Sequence, residues 1–226
     1  MTAERSTVAR RKKIFIVDDH PMMREGLAQL IAHERDLMVC GEADDAADAL
    51  AQIEKLKPDL ALVDITLRST NGLELIKDLQ IRVPALPILV ISMHDESLYA
   101  ERVLRAGARG YVMKQEGGKK LMQAIRHVLG GGTYVSERIS AKVLEIFSGR
   151  RSGGASPVEQ LTDREFEVFQ LIGQGFSTKE MAAKLRVSVK TVEVHRVNIK
   201  RKLGIASAPE LIHFAVRWLA SENTPP

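Results

Sequence analysis

Five side chains stand where they could act together. Asp18 and Asp19 follow the apolar run IFIV in KIFIVDDHPMMREGL, Asp64 closes LALVD, Ser92 closes ILVIS, and Lys114 closes GYVMK. Carboxylates gathered at one place raise one another's pKa and cost stability unless a cation offsets them. An oxygen-only ligand set, with no imidazole or thiolate, points to magnesium rather than zinc. Magnesium keeps waters and favours phosphate oxygens, so a phosphoryl group is the natural guest. The chain has no G-x-x-x-x-G-K-[ST] stretch to hold a nucleotide. The phosphoryl group is then expected to pass to the protein itself, and a carboxylate is a feasible nucleophile. Asp64 is the candidate, because it lies between the Asp18–Asp19 pair and Lys114.

These residues converge only if the runs that carry them lie side by side. IFIV, LMVCGEA, LALVD, ILVIS and GYVMK are each 4 to 7 residues long and alternate with segments of helical period. Continuous apolar strands between helices describe an α/β doubly wound, five-stranded parallel sheet covered on both faces. In such an open sheet, ligands bind outside the carboxyl ends of the strands, where the five residues would meet. Leu27, Leu30 and Ile31 share one helix face, and Leu121, Ile125, Val128 and Leu129 another.

The chain has 226 residues, a net charge of +4 and 45% hydrophobic residues, which suits two ordinary domains. Residues 1–12 form a flexible basic tail, 13–132 the α/β domain, 133–158 a linker with a short helix near Ser136 to Phe147, and 159–226 an all-α domain. The Gly, Ser and Pro content of SGRRSGGASP marks the linker. The single cysteine, Cys40, excludes an internal disulfide and is expected to be a core thiol. The apolar run Ile14–Val17 is too short for a signal peptide, and nothing reaches the roughly 18 apolar residues of a membrane span. A cytoplasmic protein without membrane attachment is expected.

In the second half, Thr162 with Glu165 and Ser177 with Glu180 fit capping boxes that open helices. Within STKEMAAKLRVSVKTVEVHRVNIKRKLG a first helix runs from Ser177 to about Leu185, and Ser188 caps a second that runs to Leu203. Ala182 and Ala183 stand at the crossing, as in a helix-turn-helix. Between residues 184 and 202 seven basic residues face the single acid Glu193, a local net charge of +6 that a polyanion would feel. At about 100° per residue, Val192, Ile199 and Leu203 fall in one core sector. Lys190, Val194, Val197 and Arg201 lie opposite, with Glu193 beside them. Exposed valines among bases suit a helix in a DNA major groove, where apolar contact reads the thymine methyl and Glu accepts from cytosine.

With the motifs in place, residues 13 to about 130 resemble the receiver domain of bacterial two-component response regulators, through VDDH, the LVD strand end with NGLEL after it, ISMHDE, and GYVMK. The resemblance implies Asp64 as phospho-acceptor, served by a partner histidine kinase. It implies Asp18, Asp19 and Asp64 as magnesium ligands with the Thr66 carbonyl close by. Ser92 and Lys114 would engage the phosphoryl oxygens, and Tyr111 would change rotamer. Thr66 and His94 would flank the phosphoryl group and tune its hydrolysis; for His94 an exposed loop role is the alternative. The family usually has Met-Pro where this chain has Leu67-Arg68, which suggests a more mobile loop.

Residues 159 to 222 resemble the LuxR-type helix-turn-helix of NarL/FixJ regulators, through LTDREFEVFQLIGQGFSTKEMAAKL and SVKTVEVHRVNIKRKL. By position, Glu193, Val194 and Val197 would face bases. Lys190, Thr191, His195, Arg196 and Lys200 would serve phosphates or support the helix, with packing as the alternative for His195. The final helix, bearing Leu211, Phe214, Ala215 and Trp218 on one face, would pair in part with its twin. A homodimer on double-stranded promoter DNA, formed on phosphorylation, is the implied active state. Two enzyme readings compete. A haloacid-dehalogenase-type phosphatase needs a second Asp two residues after Asp64, where Thr66 stands. A metal-dependent nuclease would nick plasmid in the presence of magnesium.

Overall fold

The computed structural model describes residues 10–67, 71–137, 139–140 and 157–222. It divides into two compact units, Met1–Val143 and Leu144–Pro226.

In the first unit, strands β1 (Lys12–Val17), β2 (Leu37–Ala43), β3 (Leu60–Val63), β4 (Ile88–Ser92) and β5 (Gly110–Met113) form one parallel sheet in the order β2-β1-β3-β4-β5. Helices α1 (Pro21–Ala32), α2 (Ala46–Leu56), α3 (Gly72–Arg82), α4 (Glu96–Arg105) and α5 (Gly117–Leu129) connect and cover it. The central strands are buried at every position of β3 and β4, as continuous apolar runs between two helical layers require. Leu27 and Ile31 of α1 and Leu121, Ile125 and Val128 of α5 join Ile14, Ile16, Leu62 and Leu89 in one core cluster.

Two expected core positions fall elsewhere. Leu30 is exposed, lying over Gly118 of α5 rather than on the sheet. Cys40 is half-buried. Ile14 pairs with Val39 but Phe15 with Gly41, so Cys40 is the extra residue of a bulge on an edge strand. Bulges of this kind carry no apolarity signature.

The register positions the site. Val17 pairs with Val63, so Asp18 and Asp64 leave adjacent strands at one level, and the Asp64 amide donates to the Val17 carbonyl at 2.8 Å. Ser92 pairs with Met113, which puts Lys114 one residue past Ser92 on the next strand.

Residues 133–137, 139 and 140 remain with this unit. The Tyr134 amide donates to the Arg109 carbonyl and its carbonyl accepts from the Tyr111 amide, while the Ser136 amide donates to the buried Glu96 carboxylate at 2.7 Å. Ser136 is not helical and residues 137, 139 and 140 are; position 138, residues 141–156, the loop at 68–70 and residues 1–9 of the expected tail lie outside the described residues, while Lys12, expected in that tail, opens β1.

The second unit holds helices α6 (Asp163–Gly173), α7 (Thr178–Lys184), α8 (Val189–Leu203) and α9 (Ala208–Glu222), with a short 3-10 turn at Pro157–Gln160. Both capping boxes form: Thr162 with Glu165 at α6, and Ser177 with Glu180 at α7. Ser188 caps α8, and Gly204 ends it in the left-handed conformation that glycine adopts without penalty. Trp218 sits edge-on to Phe166 and Phe169, each at 5.6 Å, over a core that includes Met181, Val192, Ile199 and Leu211. Ala182 is buried at the α7–α8 crossing, whereas Ala183 faces out, and Leu203 is only partly buried. Among the described residues no helix is long and apolar enough to cross a membrane.

Candidate functional site

Asp18 is fully buried, and Asp19 and Asp64 nearly so. The Lys114 ammonium, its side chain 3% exposed, donates to Asp18 Oδ2 at 2.6 Å and to Asp64 Oδ2 at 2.7 Å. One ammonium thus bonds two of the three carboxylates. Burial pushes the Asp64 carboxyl up to about 6, with the Asp18 charge adding to the effect and Lys114 opposing it. Burial would lower Lys114, but Asp64 and Asp18 outweigh it and hold the ammonium above its ordinary value.

The group fits a cation. One ligand atom from each of Asp18, Asp19, His20 and Asp64 can be chosen so that all lie within 4.8 Å of one another. Ligands of one octahedral ion at about 2.1 Å are about 3.0 Å apart when adjacent and about 4.2 Å when opposite. His20 is absent from the sequence-based set, which was oxygen-only; its Nδ1 lies 2.7 Å from Asp19 Oδ1 and 3.3 Å from Asp18 Oδ1.

Ser92 is fully buried, and its hydroxyl accepts from the His94 amide at 3.2 Å. His94 stacks on Tyr99 with ring centroids 4.7 Å apart, and its Nε2 lies 3.2 Å from Thr66 Oγ1. The Thr66 amide points to Asp64 Oδ1 at 3.3 Å. His94 is therefore packed against the pocket rim rather than loose, and burial lowers its pKa, aided by the Lys114 charge. Tyr111 is already inside, 1% exposed, its hydroxyl donating to the His94 carbonyl at 2.7 Å. The ring is thus already buried in this conformation, the other rotamer that the resemblance implies not being the one present.

Gly72 is a positional requirement that composition alone hides. Its amide donates to the Ile65 carbonyl at 2.8 Å, and a methyl group there would lie 2.1 Å from the Asp64 carbonyl oxygen. Gly72→Ala is expected to cost about 1–3 kcal/mol in urea unfolding by overpacking against backbone. Gly26→Ala, in open space on α1, serves as the control and should be neutral or stabilising by up to about 1 kcal/mol.

On α8 the described faces separate as the helical angles require. Val192 and Ile199 are buried, while Lys190, Glu193, Val194, Val197 and Arg201 are exposed, Val194 at 51% and Val197 at 59%. Thr191 and Lys200 are intermediate; the Thr191 amide and hydroxyl both meet the Ser188 hydroxyl, which fixes the start of the helix. Arg196 donates to Thr178 Oγ1 at 2.8 Å and so ties α8 to the start of α7. His195 is half-buried, and burial and Arg164 lower its pKa. Lys202 bonds the buried Glu165 at 2.6 Å, and the Arg164 guanidinium holds the Leu185 carbonyl at the turn, where Arg186 adopts φ 52°.

Known proteins share both units. Residues 14–126 match the response regulator receiver domain family, and residues 159–215 match the bacterial regulatory proteins of the luxR family. The oxygen regulatory protein NreC of Staphylococcus aureus (strain bovine RF122 / ET3-1) is 36% identical over 210 residues, spanning 91% of this chain and 97% of that one. A LuxR-family two-component response regulator from Aurantimonas sp. SI85-9A1 is 34% identical over 61% of this chain and 99% of its own, with a TM-score of 0.56. RcsB from Salmonella enterica serovar Typhimurium, solved bound to promoter rprA in the presence of phosphomimetic BeF3-, is 25% identical over 92% of this chain and 99% of that one, with a TM-score of 0.60. With a buried Asp–Lys pocket at the strand ends and a helix-turn-helix that presents a basic helix, the chain belongs to the NarL/FixJ-type two-component response regulators, DNA-binding transcription regulators controlled by phosphorylation rather than enzymes.

Proposed function

We propose that Asp64 accepts a phosphoryl group from the phosphohistidine of a sensor kinase in the cytoplasm. A carboxylate oxygen of Asp64 forms the new bond to phosphorus as the bond to the donor imidazole breaks. Asp18, Asp19 and Asp64, with the Thr66 carbonyl, would hold a magnesium ion, which supplies charge neutralisation to the incoming oxygens. Lys114, at 2.6 and 2.7 Å from two of the three carboxylates, supports this reading most strongly, because it marks where a phosphoryl oxygen would meet a buried positive charge. Ser92 donates a further hydrogen bond to that oxygen set. The contact between Thr66 and His94 flanks the group and sets how readily water reaches it.

An aspartyl phosphate adds about −1.5 to −2 charge. Ser92 is drawn toward it, and its neighbours His94 and Tyr111 re-form their contacts on the face built by α4, β5 and α5. That face promotes pairing of two chains on DNA. A full swing between 1:99 and 99:1 needs about 5.5 kcal/mol of differential binding. Sedimentation with acetyl phosphate and magnesium should show the mass of two chains against one without them; an unchanged mass counts against dimer control.

Glu193, Val194 and Val197 read bases from the exposed face of α8, Lys190 and Lys200 meet phosphates, and Thr191, His195 and Arg196 hold the helix in place. Lys190→Ala is expected to weaken binding alike on all sequences and to lower the slope of log affinity against log salt by about 1. Glu193→Ala should instead relax the preference at one base pair by about 1–3 kcal/mol with the salt slope unchanged. Fluorescence anisotropy on selected duplexes separates the two.

A further inference from the structure

The pocket holds a nitrogen that an aspartate-only reading leaves out. His20 precedes Pro21, which disfavours the helical region for it, and it caps α1 with φ −95° and ψ 108°. Its amide donates to Asp18 Oδ1 at 2.9 Å, and its carbonyl accepts from the Met23 and Arg24 amides at 3.0 and 3.1 Å. The backbone is thus pinned on both sides, and the imidazole makes no capping hydrogen bond of its own. Instead Nδ1 is aimed at the carboxylates, 2.7 Å from Asp19 and 3.3 Å from Asp18, within the same 4.8 Å cluster as Asp64. The Arg24 guanidinium also donates to the Asp18 carbonyl at 2.6 Å, which fixes this turn from the next helical position.

We propose that His20 Nδ1 is a protein ligand of the cation held by Asp18, Asp19 and Asp64, which makes the site a mixed oxygen–nitrogen set with raised preference for zinc over magnesium. The inference rests on the cation pocket proposed above. Carboxylates alone suit magnesium, calcium and manganese, whereas an imidazole adds affinity for later first-row ions and little for magnesium. The response regulator would then take its resident ion from whichever of these metals the cell supplies.

The direct probe is manganese alone, added to the full chain and to His20→Ala, with electron spin echo envelope modulation as the readout. The wild type should show modulation from a directly bound nitrogen, and the variant should bind the ion without it. In parallel titrations, zinc affinity should fall by about tenfold or more in the variant, while magnesium affinity changes less than about twofold. Unchanged magnesium binding also shows that the variant is folded. Manganese bound by the wild type with no nitrogen modulation would overturn the proposal and leave the carboxylate pocket standing. Absence of manganese binding in the wild type would overturn both.

Discussion

Asp64→Asn is expected to abolish labelling by radioactive acetyl phosphate, reducing incorporation to background while the fold persists. Asn keeps the shape and the hydrogen bond from the Thr66 amide at 3.3 Å, and it removes the nucleophilic charge. It also removes one of the two carboxylates on Lys114, so Asp18 alone would hold the ammonium. Because Asp18 and Asp19 lie in the same cluster, either could in principle be labelled instead. Their place beside the first strand, with Asp18 bound by Lys114, the His20 amide and the His20 ring, argues against their attacking an incoming phosphorus. Labelling of Asp64→Asn at wild-type yield would therefore remove the acceptor from Asp64.

Lys114→Met is expected to have the largest effect on stability. It leaves Asp18 and Asp64 buried with no ammonium between them, and breaking a buried pair in this way costs about 3–5 kcal/mol. The loss should depend on pH with a definite sign. Burial already pushes Asp64 up to about 6 in the presence of Lys114, and losing the ammonium raises it further. A carboxyl whose folded value lies above its unfolded one binds its proton more tightly when folded. Its ionisation therefore lowers stability as pH rises from about 4 through about 6. Urea unfolding without metal should show a small deficit at pH 4.5 and a large one at pH 7.5. A deficit equal at both pH values would mean that Lys114 matters through packing rather than charge. Added magnesium, binding only the folded chain, should recover part of the deficit at pH 7.5.

Much of this was legible because strands that are buried on both faces must write continuous apolar runs, and each run ends where its functional residue begins. Asp18, Asp64, Ser92 and Lys114 meet at one sheet edge as that pattern requires. The capping boxes at Thr162 and Ser177 were equally visible, since they depend on residues three apart. What stayed hidden depends on contacts between segments distant in sequence. The bulge that half-exposes Cys40 is a matter of pairing with β1, and the demand on Gly72 comes from the Asp64 carbonyl. Leu30 fits the apolar period of α1 but meets Gly118 of α5 instead of the sheet. Tyr134, in a stretch that reads as linker, adds hydrogen bonds to β5 beside Tyr111.

The coupling of the two units through one phosphoryl group is tested most directly by where the protein sits on DNA. Purified wild type and Asp64→Asn, each with magnesium and acetyl phosphate, would be mixed with sheared genomic DNA, and the captured fragments sequenced. The wild type should enrich a set of fragments carrying paired half-sites about 10 base pairs apart, and Asp64→Asn should enrich them weakly or not at all. Equal enrichment of the same fragments by both proteins would show that phosphorylation of Asp64 does not govern DNA binding.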